Sequence, residues 1–361
     1  MTLKTYLLAP FTDIYQKRSS HGDSLYTLDG LRGIAVIIVL MSHTASFGMY
    51  AQGSLGVLLF YFLSGFVLTL PYTEKPKILL SKTELFRYIT NRVLRILPVY
   101  VVAILVYTLY FGHDFSWFFY NVSFIKGWNH FWSVAEEARF YILFPIVIIL
   151  LSFIPKYTFK ILILSVITYY FYKHSGIHKI DMMDGRYVSF YFWMFLGGSL
   201  TSFVYNSPLL KSYRNNNILK NISSVLVVAI LLFIFLSSNH IIQTLWHPLF
   251  PSLPPKFSLN GWRMPGLWFM LYFILLLSIT TYTTTFSAKF IQSPLLRHLG
   301  LISYSLYLFH MLFIQILQPH GFKNEGLFVA VFTISWMISL LTYVTIEKPF
   351  MRLKIKNKVS S

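Results

Sequence analysis

Ten stretches of mostly apolar residues, each close to the length that crosses a lipid bilayer, recur along this chain with short basic segments between them. A helix rises about 1.5 Å per residue, so about 20 residues cross a hydrocarbon core of about 30 Å. The stretches fall near 33–50, 54–72, 97–112, 132–154, 159–172, 188–205, 221–237, 266–285, 300–317 and 326–345. In lipid each backbone polar group must be satisfied internally, and helices do this within a single segment. The pattern predicts an all-α polytopic integral membrane protein with about ten transmembrane helices. Residues 1–26 read as a polar cytoplasmic tail, too long and uneven for a cleaved signal peptide. Residues 27–350 read as one transmembrane domain, and 351–361 as a basic cytoplasmic tail.

Charge supports this reading and orients it. Only 12% of the residues are charged while 56% are hydrophobic, about half the charge that a soluble domain carries. The net charge of +18 could suit nucleic acid or anionic lipid. A nucleic-acid binder gathers basic residues on one water-exposed face. Here they sit between apolar runs, so the bilayer and not nucleic acid is the expected partner. With the N-terminus in the cytoplasm, the inner segments hold 22 of the 30 Lys and Arg and the outer segments hold 7. That asymmetry puts both termini inside, in the cytoplasmic membrane. There is no cysteine, which excludes thiolate catalysis and disulfides.

Ionisable groups at bilayer depth are costly and mark function. His43 lies eleven positions after Arg32, so on a helix they project within about 20° of one another and about 16 Å apart along the axis. The pair suits a ligand with an anionic end at the inner surface and a reactive end near the midplane, where an imidazole can serve as general base. A neutral histidine bonding a neighbouring helix is the plainer alternative. Glu136 and Glu137 point about 100° apart, so one can pair with Arg139 while the other faces the bundle. His310 stands at a depth similar to His43 and reads equally as structural or functional. Arg92 and Arg95, three apart on an amphipathic stretch, share a face for lipid phosphates or for a phosphorylated ligand. Ser64 in LSGF has no base at a defined spacing, and small residues in such helices usually serve close packing. No HExxH, Walker, GxGxxG or GxSxG pattern occurs, and no metal site is expected. The Pro- and Trp-rich loop 238–265 is expected to cap the bundle on the outer side.

Taken in order, LDGLRGIAVIIVLMSH (28–43), GVLLFYFLSGF (56–66), RYITNRVLRILPVY (87–100), WSVAEEARFY (132–141), SYSLYLFH (303–310) and IEKPF (346–350) resemble the acyltransferase-3 family of bacterial membrane O-acyltransferases. The resemblance implies transfer of an acyl group, acetyl above all, from cytosolic acyl-CoA to a hydroxyl of an envelope polysaccharide or related glycan. Acyl-CoA is then a substrate, with no tightly bound cofactor. The resemblance makes His43 the catalytic imidazole and assigns Arg32, Arg92 and Arg95 to the donor. It aligns Glu137 with the family's glutamate, expected near the outer face to orient His43 or bind the acceptor, and it includes Glu347 in the closing motif. Leu58 stands where many relatives carry an acidic residue. Some relatives carry a further extracytoplasmic hydrolase-like domain, so a separate envelope transferase is an expected partner where transfer is not completed within the bundle. The competing reading is a non-enzymatic transporter or flippase for a lipid-linked glycan.

Overall fold

Two helices of this protein come so close that only glycine fits between them. A Cβ on Gly300 would lie 1.8 Å from the Asp29 carbonyl oxygen, and one on Gly30 would lie 1.8 Å from that of Ile291. In a computed structural model Gly300 joins the first and tenth main helices, and Gly30 seats the first against the short turn of helix Phe286–Ile291 that precedes the tenth. The structure describes residues 9–13, 22–50, 52–125, 127–174, 191–238, 241–242, 247–250, 259–261 and 263–353. Most of the loop 238–265, much of the tail 1–26, and residues 354–361 lie outside the described residues.

The described residues form helices and no strand. We number the main helices α1 Gly22–His43, α2 Gly53–Thr69, α3 Lys82–Phe111, α4 Phe115–Val122, α5 Trp132–Ser152 and α6 Tyr157–His174. They continue with α7 Phe192–Tyr205, α8 Asn217–Leu236, α9 Pro265–Thr281, α10 Pro294–Leu317 and α11 Asn324–Thr342. Helix α1 packs on α10 and α2, α2 on α7, and α10 on α11. Small residues let these backbones approach, the usual solution where lipid removes the hydrophobic drive between helices.

Among the described residues six helices are long and apolar enough to cross a membrane: α1, α2, α3, α8, α10 and α11 with their flanks. The count of about ten is thus not matched by length and composition. Helices α7 and α9 are apolar but shorter. Helix α5 carries Glu136, Glu137 and Arg139 within its 21 residues, which lowers its apolar character.

Two boundaries differ from the sequence expectation. Helix α1 ends at His43 and not near residue 50. Thr44 Oγ1 donates to the Leu40 carbonyl at 2.9 Å and contacts Ser46 Oγ at 2.8 Å, while Ala45 and Phe47 take left-handed φ of 55° and 53°. Local hydroxyl bonds of this kind compete with helix continuation. Helix α3 runs unbroken for 30 residues, so the amphipathic stretch and the third apolar run are one rod. Pro98 lies inside it, and Gly112 in the left-handed region ends it.

The two ends of the described chain meet. Asp13 accepts from Lys348 Nζ at 2.8 Å and from the Tyr343 hydroxyl at 2.8 Å, with both charged partners buried. Arg139 is a second brace. Its guanidinium donates to Glu136 at 2.7 Å and to the Phe124 carbonyl at 2.8 and 3.1 Å, fixing a turn where Phe124 has φ 58°. At the start of α4, Asp114 caps the helix. The Trp117 amide and the Ser116 hydroxyl bond its carboxylate and hold it below the ordinary carboxylate range.

Substituting Gly300 by Val should force α1 and α10 apart and cost about 1–3 kcal/mol, seen as a lower thermal midpoint in detergent. Gly326→Ala, where nothing lies within 4 Å, should leave that midpoint unchanged or raise it. Arg139→Met should cost about 3–5 kcal/mol by stranding the buried Glu136 carboxylate, and adding Glu136→Gln should recover part of the loss.

Candidate functional site

Five helices each turn one stripe of polar residues toward a common space of about 410 Å³. Asp29 and Arg32 come from α1, Tyr61 and Ser64 from α2, Arg92 and Arg95 from α3, Ser133, Glu137 and Tyr141 from α5, and Tyr304 and Tyr307 from α10. Spacings of three and four place each set on one helix face. We call this the arginine cavity.

Its guanidiniums are held from behind, leaving donors toward the cavity. Arg92 stands over the rings of Tyr88 and Tyr141, at 6.0 and 5.7 Å from their centroids, and its Nε has no hydrogen-bond partner among the described residues. Arg95 lies 3.6 Å from the Glu347 carboxylate and 3.1 Å from Met351 Sδ. The Ser305 hydroxyl bonds that carboxylate in turn. Glu347 closes a π-helical turn, Tyr343–Glu347, and is buried. Its place is therefore behind Arg95.

Glu137 faces the cavity, as the divergence of the two glutamates predicts, while Glu136 pairs with Arg139. Its Oε1 accepts from Ser64 Oγ at 2.7 Å and from the Tyr141 hydroxyl at 2.6 Å. Ser64 does have a carboxylate beside it, supplied by another helix and so invisible to spacing. Among the described residues Glu137 makes its hydrogen bonds to Ser64 and Tyr141 on the arginine cavity, and none to His43.

His43 opens instead onto a second space of about 740 Å³, the histidine cavity. Its walls are largely aromatic, with Tyr50, Trp117, Tyr120, Trp128 and Trp132, and Asn129 adds an amide. Asn129 holds a left-handed φ of 50°. Val57 and Tyr307 line both cavities, so the two spaces abut there. The Tyr307 hydroxyl contacts Ser133 Oγ at 2.6 Å and donates to the His130 carbonyl at 3.0 Å.

Helix α10 brings His310 to His43, with Nδ1 of His43 and Nε2 of His310 2.8 Å apart and the rings stacked at 5.0 Å. His310 Nδ1 lies 2.6 Å from the Tyr307 carbonyl. His130 packs edge-on to His310 at 5.2 Å and reaches the Leu308 carbonyl at 2.9 Å. Among the described residues no group of His, Asp and Glu could hold a metal ion. Chemically, the assembly offers cationic donors in one space and an imidazole in the other, joined across a thin wall.

Sequence reasoning did not single out His130, Tyr61, Ser133, Tyr141 or Tyr307. All but His130 and Tyr61 lie inside or at the edge of the quoted motifs WSVAEEARFY and SYSLYLFH, one turn from residues that were named, and Tyr61 lies in GVLLFYFLSGF. His130 follows a short loop, and no spacing marks it.

Comparison with known proteins gives the family. Residues 25–346 match the acyltransferase domain family, Acyl_transf_3. The chain is 25% identical to the O-acetyltransferase OatA of Staphylococcus aureus strain NCTC 8325 / PS 47, over 89% of this chain and 56% of that protein. It is also 25% identical to the putative O-acetyltransferase SACOL0978 of S. aureus strain COL, over 91% of this chain and 58% of that protein. The chain thus spans a little over half the length of these relatives. No solved structure matches it. With nearly all of its helical body matched, the chain belongs to the acyltransferase-3 family.

Proposed function

We propose that this protein is a membrane O-acyltransferase that moves an acyl group, acetyl by preference, from cytosolic acyl-CoA to a hydroxyl of an envelope glycan. The observation that carries the reading is the pair of abutting cavities, one bearing Arg32, Arg92 and Arg95, the other bearing His43 among aromatic walls. Family membership and the relatives' names support the chemistry. The same observations favour an enzyme over a flippase, which has no need of a phosphate-binding space beside a histidine.

The donor phosphates bind at the arginine cavity, where guanidiniums match phosphate oxygens in bidentate fashion. Helix α1 is continuous from Arg32 to His43, so the two stand about 16 Å apart along it. A pantetheine arm suits that reach and delivers the thioester to the wall at Val57 and Tyr307. Aromatic faces in the histidine cavity suit the C–H faces of a sugar ring, and few precisely placed polar groups then set its orientation. His43 takes the acceptor hydroxyl proton, the oxygen attacks the thioester carbonyl, the carbon–sulfur bond breaks, and the departing thiolate is protonated.

The topology we assign is ten spans with both termini on the cytoplasmic side of the cytoplasmic membrane. The basic segments support it, and the contact between Asp13 and Lys348 supports placing both ends on one face. Residues 27–350 then form a single catalytic unit, and a separate envelope transferase is the partner where transfer continues beyond the bundle.

In lipid nanodiscs with acetyl-CoA and an envelope glycan extract, the protein should release free thiol only when glycan is present. His43→Ala should lower that release by about 10²–10⁴-fold with insertion and elution unchanged, and normal turnover by this variant would refute the assignment. Arg92→Ala combined with Arg95→Ala should raise the apparent KM for acetyl-CoA by about 10–100-fold, on the strength of charge-assisted hydrogen bonds. An unchanged donor KM would return these arginines to lipid anchoring.

A further inference from the structure

The histidine pair carries more information than proximity, because one of its four ring nitrogens is tied to a backbone carbonyl. A carbonyl oxygen only accepts, so the His310 nitrogen 2.6 Å from the Tyr307 oxygen, Nδ1, bears a proton. A neutral imidazole with Nδ1 protonated has a bare Nε2. His310 is fully buried, and its other ring neighbours are His43, His130 and Tyr307, with no carboxylate among them. A charged His310 would be unsupported there. His310 Nε2 therefore accepts, and the proton on the 2.8 Å contact belongs to His43 Nδ1. With Nδ1 protonated, the lone pair of neutral His43 sits on Nε2.

That nitrogen faces the histidine cavity. His43 is exposed there, Nε2 has no hydrogen-bond partner among the described residues, and a Cβ on Gly53 would lie 3.7 Å from it. Which nitrogen carries the proton is ordinarily set by the partner of the other nitrogen, and hydrolases use a carboxylate for this purpose. Here Glu137, the carboxylate that sequence would offer, is engaged on the other cavity.

Resting on the acyltransferase reading, the geometry assigns His310 as the positioning residue that fixes His43 as the Nδ1–H tautomer, leaving Nε2 as the base toward an acceptor in the histidine cavity. The acceptor O–H proton passes to Nε2, the acceptor oxygen bonds the acyl carbon, and the carbon–sulfur bond of the thioester breaks. The proton on Nε2 then goes to the thiolate. The Nδ1 proton stays in place throughout, and His310 exchanges none. A buried His310 also stacks on the His43 ring, so it fixes the orientation of the imidazole as well as its proton.

The test is solid-state 15N NMR of histidine-labelled protein in proteoliposomes at pH 8, with His43 identified by difference against His43→Ala. The wild type should show His43 protonated at Nδ1 and bare at Nε2. His310→Phe, which keeps a stacking ring but removes the acceptor, should move the His43 proton to Nε2. It should also lower kcat with acetyl-CoA and envelope glycan by about 10²-fold or more, with the acetyl-CoA KM unchanged. His310→Gln, whose side-chain carbonyl can accept in place of Nε2, should regain at least about tenfold of that loss. A wild-type His43 protonated at Nε2, or a tautomer indifferent to His310→Phe, overturns the assignment. Failure of wild-type turnover with every glycan would sink the transferase reading separately, because the tautomer is read without substrate.

Discussion

The approach of α1 to α10 through glycine is the contact on which both cavities depend. Gly33 and Gly300 remove the side chains that would otherwise hold these helices apart. At that distance Arg32 and His43, on one helix, come within reach of Tyr304, Tyr307 and His310 on the other. A bulkier interface would still bury apolar surface, yet it would separate the imidazoles. Glycine packing at Gly65 and Gly198 does the same for α2 and α7, where a Cβ on either would meet carbonyl oxygen at 1.9 Å. Backbone proximity here is the means by which a membrane bundle gains precision without a hydrophobic drive between helices.

Around that contact the charged groups divide cleanly by role. Glu136 with Arg139 and Asp13 with Lys348 are closed pairs that brace a turn and join the chain ends. Glu347 stands behind Arg95, and Glu137 is shared by Ser64 and Tyr141. A buried charge without a partner is so costly that each of these arrangements must be nearly complete. Arg92 Nε and His43 Nε2 have no hydrogen-bond partner among the described residues, and each of these two side chains lines a cavity.

Much of this was legible in the sequence. Long apolar runs mark helices because their composition must match lipid along a whole segment, and each of the ten runs overlaps a helix over most of its described residues. The pairing of Arg32 with His43, and of Arg92 with Arg95, follows from helical angle alone. The divergence of Glu136 from Glu137 does too. What the sequence conceals is contact between helices. Ser64 and Glu137 are 73 residues apart, and His43 and His310 are 267 apart, so no local spacing reports either bond. The early end of α1 was also hidden. Thr44 and Ser46 form hydroxyl bonds that redirect the chain, although the run itself stays apolar enough to continue.

Tyr307 has a consequence for the cell as well as for chemistry. On the proposed topology, the two cavities approach from opposite sides of the bilayer and are parted at Val57 and Tyr307 by a single layer of side chains. Water-filled spaces that nearly meet would conduct protons and ions if that layer failed, dissipating the gradient the membrane maintains. On that topology the Tyr307 phenol, latched to Ser133 and to the His130 carbonyl, would stand as the barrier between them. Its own carbonyl accepts from His310, so the residue between the two cavities also holds one member of the imidazole pair. The wall between the cavities and the support of the imidazole pair thus share one turn of one helix.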